Sequence, residues 1–197
     1  MFVSADATIH HSTLIIHHII ALIHHSTFII QHCYNSIFII QHSSFMKSYL
    51  FETRMEVRDY ECDIEGIVNN ANYLHYTEHT RHRFLRALGV SFADLHEKGV
   101  DAVVARMQLQ FKRPLKCDDE FLSCLNLHKE GVRYVFEHDI YRTSDNALCF
   151  HADTELVTLI NGRLGVSKDY DDAFLPVIER FEKDGTPITA SDNNISK

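Results

Sequence analysis

The chain has 197 residues and a formal net charge of -8, enough length to bury a real core in one domain without metal or disulfide staples. Its 19 Lys and Arg against 27 Asp and Glu, with Lys112, Arg113 and Lys116 the one tight basic group outside a helix, argue against a nucleic-acid partner and suit one small anionic ligand. The five cysteines are odd in number and form no CxxC pair, so neither a disulfide framework nor a zinc knuckle is indicated, and a reducing, cytoplasmic setting is the simpler expectation.

Residues 1–45 stand apart in composition. They hold eight of the fifteen histidines, no Lys or Arg, and Asp6 as the one acid. HHSTLIIHH from His10 recurs as HHSTFIIQH from His24, and IFIIQHSS follows from Ile37. A secretory signal would need a charged start and a small-residue cleavage site, and the apolar runs are too short to span a membrane. Three readings are open: metal binding by paired His, a β-prone extension, or translated sequence upstream of a start at Met46. The last is preferred, because low-complexity composition without a packed partner argues against a built metal site. The expected layout is a low-complexity extension at 1–45, one domain at 46–185 and a polar tail at 186–197.

From Met46 onward the periodicities change. Phe51, Thr53, Met55 and Val57 alternate with Glu52, Arg54, Glu56 and Arg58, the two-residue period of a half-buried strand. The next pattern is helical, from about Asn72 to Leu88, with Leu74, Thr77, Phe84, Leu85 and Leu88 on one stripe, Tyr73 at its edge, and His75, His79, His82 and Arg86 on the other flank. Gly89 supplies its stop. Ser91 and Gly99 bracket a short helix at 92–98.

A second strand reads with Val103, Ala105, Met107, Leu109 and Phe111 on one face and Val104 on the other, ended by Pro114. Three more strands follow at 121–128, 132–140 and 148–160, separated by short turns and closed by Asn161-Gly162. Residues 173–183 are predicted as a terminal helix, with Pro176 in its first turn. One long helix against an antiparallel sheet of about five strands is a two-layer α+β domain. No second long helix is evident for the opposite face, where Val104, Val135, Tyr141, Val157 and Leu159 leave apolar surface that a homodimer could bury.

The segment DYECDIEGIVNNANY, 59–73, is a polar loop between strand and helix, a place where rigid supports can hold a reactive group. Asp63 is its candidate for chemistry, since a carboxylate there can attack an acyl carbon or take a proton from water. Gly66 would allow a positive φ or close approach of backbone to ligand. Backbone N–H groups near Asn70 and Ala71, at the positive end of the helix dipole, could hold a developing oxyanion. The plainer alternative is that Asp63 and Asn72 cap turn and helix. His75, Glu78 and His79 spell HxxEH, an inverted zinc-protease pattern, but no further ligand is marked and no metal is expected. Lys112 and Arg113 read either as phosphate contacts or as solvated edge charges.

The stretch ECDIEGIVNNANYLHY, Glu61 to Tyr76, resembles the signature of the hotdog-fold thioesterases of the 4-hydroxybenzoyl-CoA thioesterase and YbgC-like family, through Asp63, Gly66, Ile67, Val68, Asn72 and Tyr73. FLRALG from Phe84, SFADLHEKG from Ser91 and FKRPLKCDDEF from Phe111 extend the likeness over about 51–160. The resemblance implies a long helix wrapped by a curved antiparallel sheet, assembled as a homodimer or tetramer, hydrolysing acyl-CoA thioesters to free acid and coenzyme A. It needs no cofactor, coenzyme A being part of the substrate.

On the family pattern Asp63 would be nucleophile or general base and the Asn70 backbone N–H the oxyanion donor beside Gly66. Val68 and Tyr73 would meet the substrate, and Lys112 and Arg113 the CoA phosphates. Many YbgC-like members carry His where this chain has Asn70, so the subfamily stays open. Val68-Asn69-Asn70 is also similar to the HVNN stretch of acyl-acyl carrier protein thioesterases, whose His position is taken by Ile67. A carrier-protein thioester, a hydratase or dehydratase on the same fold, and a non-catalytic acyl-CoA-binding domain are the alternatives.

Overall fold

The computed structural model describes residues 47–189; the extension read at 1–45 lies outside them. Strand β1 (Phe51–Glu56) follows its alternation, burying Phe51 and Thr53 and exposing Glu52 and Arg54. The long helix α1 (Asn70–Ala87) starts two residues earlier than its apolar spacing predicts, because Asn69 takes the N-cap and accepts from the Ala71 N–H at 3.0 Å. A short helix α2 (Phe92–Glu97) is capped by Ser91 as expected. Then come β2 (Val100–Phe111), β3 (Glu120–Glu130), β4 (Arg133–Arg142) and β5 (Ala147–Ile160). After Asn161-Gly162 a three-residue strand, β6 (Arg163–Gly165), folds back on β5.

These strands make one antiparallel sheet in the order β1-β3-β4-β5-β2, with β6 paired to β5. There are thus six strands instead of about five, wrapped around α1 in the hotdog arrangement that the resemblance implies. The helix rests chiefly on β1 and β3. Phe84, fully buried, is its central contact, with the rings of Phe51, Phe136 and Phe174 at 5.8, 6.2 and 6.1 Å. Aromatic burial of this kind contributes about 1.5–3 kcal/mol per ring.

Two expectations need correction. The terminal helix, α3 (Lys168–Asp184), begins five residues before Ala173, capped by Ser167, so Pro176 sits in its interior. An interior proline costs about 3 kcal/mol, which burial of Tyr170, Phe174 and Ile178 offsets. Phe174 lies 5.1 Å from Tyr134 and 5.9 Å from Phe136, so α3 packs on the same inner face as α1.

In β2 the register shifts between Val104 and Arg106. Cross-strand partners share a face. Ala102 and Val104, opposite buried Thr158 and Leu156, therefore stand on the inner face with Met107, Leu109 and Phe111, while Val103 opposite Val157 points outward. The predicted single alternation from Val103 to Phe111 is broken by one extra residue, Ala105.

The two sheet edges differ. Ile188, inside the segment read as a polar tail, is buried, bridges Phe51 and donates its N–H to the Leu50 carbonyl at 2.7 Å, covering β1. Nothing among the described residues pairs with the outer edge of β2.

His138, on the inner face of β4, has no exposed surface. Burial, together with the charges of Arg81 and His151, holds its imidazole well below the ordinary 6.5. The unfolded chain takes up that proton near 6.5 while the folded chain does not, so the stability from this group is complete above that pH and is lost as pH falls below it. Denaturant titrations from pH 7 to pH 5 should show wild type losing about 1.4 kcal/mol per pH unit below 6.5 relative to His138→Gln; parallel pH curves would contradict this account.

Candidate active site

The loop between β1 and α1 is built on a buried carboxylate that sequence reasoning passed over. After β1 a single 3-10 turn, Asp59–Glu61, carries Glu61 inward to 7% exposure. Its Oε2 accepts from the Arg58 N–H at 2.8 Å and the Tyr76 hydroxyl at 2.7 Å, and its Oε1 from the Arg58 guanidinium at 3.0 Å. The Glu61 carbonyl accepts from Asn69 N–H at 2.9 Å and Asn72 Nδ2 at 2.7 Å. Asn72 thus ties the helix to the loop, while Asn69 is the N-cap. The signal for Glu61 was its spacing three residues after Arg58, but only the fold brings Tyr76 to it.

Asp63 follows at the start of the tight turn. Its N–H donates to the Ile67 carbonyl at 2.9 Å, and Gly66, at φ 72°, donates to the Asp63 carbonyl at 3.0 Å. A positive φ is what glycine supplies without a Cβ penalty. The Asp63 Oδ1 accepts from the N–H groups of Glu65 at 3.1 Å and Ile67 at 3.4 Å. One carboxylate oxygen therefore caps the turn, as the plainer alternative expects, and Oδ2 has no hydrogen bond from the described residues. The other end of the loop is pinned where Val68 donates its N–H to the Leu115 carbonyl at 2.9 Å.

Asp63, Ile67, Val68, Asn70, Tyr73, Phe111, Lys112, Arg113 and Pro114 line one open pocket of about 310 Å³. It gathers each residue to which the family pattern gives a catalytic or substrate-binding role except Gly66, whose place is the turn beneath. Asn70 is the first residue of α1 and its N–H has no acceptor among the described residues, whereas the Ala71 N–H is taken by the Asn69 cap. Of the two donors expected at the helix start, one is left for a ligand.

Tyr73 forms the floor. It stacks on Phe150 at 5.0 Å and meets Phe111 edge-on at 5.5 Å, while its hydroxyl accepts from the Leu115 N–H at 3.0 Å. Burial raises its pKa, so it stays a neutral phenol. The basic end is held by the Lys112 and Arg113 N–H groups on the Cys149 carbonyl, at 2.8 and 3.2 Å. Arg142, bound to Asp145 through both carboxylate oxygens at 3.0 Å, also donates to the Pro114 carbonyl at 3.2 Å.

The family of the fold follows from comparison with known proteins. The Thioesterase-like superfamily matches residues 57–177, most of the described domain and the whole of this pocket. The chain belongs to the Thioesterase-like superfamily. That places it in a family of thioester hydrolases.

Among the relatives of this thioesterase-like chain, a putative esterase of Aquifex aeolicus is 32% identical over 114 residues, 58% of this chain and 88% of that protein. The chloroplastic acyl-acyl carrier protein thioesterase ATL3 of Arabidopsis thaliana is 32% identical over 96 residues, 48% of this chain. The match spans half of the ATL3 length, 50%. Of solved structures, a thioesterase from Thermus thermophilus complexed with coenzyme A and Zn is 26% identical with a TM-score of 0.57, covering 68% of this chain and 99% of its own. The DHNA-CoA thioesterase of Staphylococcus aureus, 21% identical, TM-score 0.62, covering 70% and 97%, supports the fold alone.

The HxxEH trio contributes nothing to the pocket. Among the described residues no group of three or more His, Cys, Asp and Glu side chains is arranged to hold a metal ion, and no helix among them is long and apolar enough to cross a membrane.

Replacing Glu61 by alanine leaves the Tyr76 hydroxyl and Arg58 N–H without their acceptor. The expected result is a loss of about 3 kcal/mol in unfolding free energy and faster hydrogen exchange at Val68 and Asn69, which amide-resolved exchange would detect; unchanged protection of both amides would show that Glu61 does not anchor the loop.

Proposed function

We propose that the chain hydrolyses acyl-CoA thioesters at the pocket of Asp63. The observation that carries this reading is the pairing, in one cavity, of a carboxylate oxygen and a helix N-terminal N–H that both lack hydrogen-bond partners among the described residues. The thioester carbonyl oxygen would accept from Asn70 N–H, at the positive end of an 18-residue helix whose dipole stabilises the charge that develops there.

With water between Asp63 and the carbonyl carbon, the carboxylate takes the water proton as the oxygen attacks. The tetrahedral intermediate then expels the coenzyme A thiolate, which recovers that proton. Attack by the carboxylate itself would instead break the C–S bond, releasing coenzyme A thiolate and a mixed anhydride, which water cleaves to the free acid and the Asp63 carboxylate, the water's second proton going to the thiolate. Hydrogen bonds from Glu65 and Ile67 hold Oδ1 in either route, so Oδ2 acts without reorganisation.

Lys112 and Arg113 at the pocket mouth would take the phosphates of coenzyme A. Coenzyme A in the Thermus thermophilus neighbour supports that carrier. A second reading, a carrier-protein thioester, is favoured by the acyl-acyl carrier protein thioesterases ATL3 and ATL2 among the relatives. Both carriers present the same phosphopantetheine arm. The free thiols Cys62, Cys117 and Cys149 suit the reducing cytoplasm expected from the sequence.

Assay of free thiol from a panel of acyl-CoA and acyl-carrier-protein thioesters should show turnover by the wild type. Asp63→Asn should lower kcat by about a hundredfold or more while leaving coenzyme A affinity within about threefold. Near-full activity in that variant would overturn the assignment of Asp63.

The same reading includes a homodimer. β2 is twelve residues long, leaves its outer edge unpaired among the described residues, and exposes Val103, Val104, Leu109 and Phe111. A long apolar edge is a liability that pairing with a second copy removes. Sedimentation should therefore give twice the chain mass, and Met107→Pro, which removes an N–H directed away from β5 at that outer edge, should shift it toward monomer; a monomeric wild type would refute the dimer.

A further inference from the structure

Farther along α1, the inner face holds a second cavity of about 100 Å³. Leu85, Phe92, Val104 and Leu156 give it apolar walls, and Arg81, Tyr170, Tyr134, His82 and the carboxylate of Glu78 bring polar atoms to it. Arg81 is only 8% exposed. Its hydrogen-bond partner is Nε2 of His138, 3.4 Å from Nη1, and no carboxylate forms an ion pair with it among the described residues. Glu78, one turn earlier and exposed, is the acid whose charge it feels. A guanidinium taken out of water without a counter-ion costs several kcal/mol, and burial lowers the Arg81 pKa accordingly.

The groups around it share the same deficit. His138 Nδ1, Thr154 Oγ1 and the Tyr170 hydroxyl are all buried without a hydrogen-bond partner. His138 and Thr154 neighbour each other on the inner face, through the pairs His138–Ala152 and Phe136–Thr154. An imidazole that accepts from arginine at Nε2 carries its hydrogen on Nδ1, so it adds a donor. The Arg81 guanidinium and the Tyr170 hydroxyl line the cavity, while His138, which contacts Arg81, and Thr154 next to it lie on the inner face outside its lining; each can donate, and His138 Nδ1, Thr154 Oγ1 and the Tyr170 hydroxyl lack an acceptor. The ligand chemistry that completes such a set is an anion with two oxygens in a plane, a carboxylate.

The cavity shares no lining residue with the pocket of Asp63 but lies along the same strand face. On β2, Phe111 lines the Asp63 pocket and Val104 the second cavity, and Leu109 and Met107 stand between them on the same inner face. The helix rests chiefly on β1 and β3, and Leu109, between the two cavities on β2, keeps 36% of its surface exposed. Arg81 lies eleven residues beyond Asn70, about 16 Å along the helix axis, and a helical side chain leans back toward the N-terminus. A 1.5 Å carbon–carbon bond advances an extended chain by roughly 1.25 Å, so an acyl group of about ten carbons reaches from the Asn70 N–H to the guanidinium.

We propose that Arg81 receives a carboxylate at the far end of the acyl group, making thioesters of medium-length dicarboxylic acids the preferred substrates. This rests on the hydrolase reading for the carbonyl end and adds the recognition of the other end. A chain ending in methyl leaves the buried donors unanswered, and sites built to hydrogen-bond a ligand group discriminate strongly against analogues that lack it.

The test compares decanoyl-CoA with the mono-CoA thioester of decanedioic acid, using the full chain. Calorimetric binding to Asp63→Asn, where turnover does not interfere, should favour the acid-ended thioester by at least about tenfold. Adding Arg81→Met should abolish the difference while leaving decanoyl-CoA affinity nearly unchanged, and Arg81→Lys should keep part of it. With Asp63 intact, kcat/KM should show the same preference. Equal binding of the two thioesters, or an Arg81→Met effect of the same size on both, overturns the proposal; the comparison on the Arg81 protein decides it even if Arg81→Met does not fold. Selective binding of the acid-ended thioester without thiol release by the wild type would overturn the hydrolase reading and leave this one standing.

Discussion

A carboxylate in a buried setting loses several kcal/mol of hydration unless donors replace the water, and Glu61 is surrounded by donors from three different parts of the chain. Arg58 at the end of β1 gives an N–H and a guanidinium, and Tyr76, two turns into α1, gives its hydroxyl. The peptide carbonyl of the same residue then holds Asn69 and Asn72. Strand end, loop and helix start are locked to one residue, so the distance between the Asp63 turn and the Asn70 N–H is set by charge compensation instead of by loop stiffness. The proposed reacting pair can sit in a solvent-open pocket because its support does not.

Packing extends that constraint to the pocket floor. Tyr73 and Tyr76 are neighbours on one turn of α1, with ring centroids 6.1 Å apart. Tyr76 tilts onto Phe121 at 4.7 Å and reaches Glu61, while Tyr73 stacks on Phe150 and reaches Leu115. Each tyrosine is core on its ring and anchor at its hydroxyl. A shift of α1 against the sheet would break hydrogen bonds at both ends of the loop at once, which makes the geometry of the helix start as rigid as the core.

Most of this architecture was legible in periodicity. Two-residue alternation located five strands, and the 3.6-residue stripe located α1, because each element buries one face and the period follows from that burial. Asp63, Asn70, Tyr73, Lys112 and Arg113 were legible as candidates, and the fold brings them to one pocket. What stayed hidden depends on contacts distant in sequence. Glu61 looked like any loop acid until Tyr76, fifteen residues on, folded over it. Arg81 sat among the helix charges, and only the sheet beneath reveals that it is buried. α3 ran through Pro176 because Tyr170 and Phe174 gain more from the inner face than the proline loses, a balance that local propensity does not contain.

The extra residue in β2 divides that strand into two segments that can change independently. Because side chains alternate strictly, loss of Ala105 would turn one segment inside out relative to the other, sending Ala102 and Val104 outward and Val103 inward while Met107, Leu109 and Phe111 kept their places. The end of the strand face near Asp63 would survive and the end near Arg81 would be relined, all through a three-nucleotide deletion. If the proposed chemistry and the proposed chain recognition occupy opposite ends of this strand face, a hinge in register of this kind offers a route by which descendants could exchange substrates without rebuilding the Asp63 pocket.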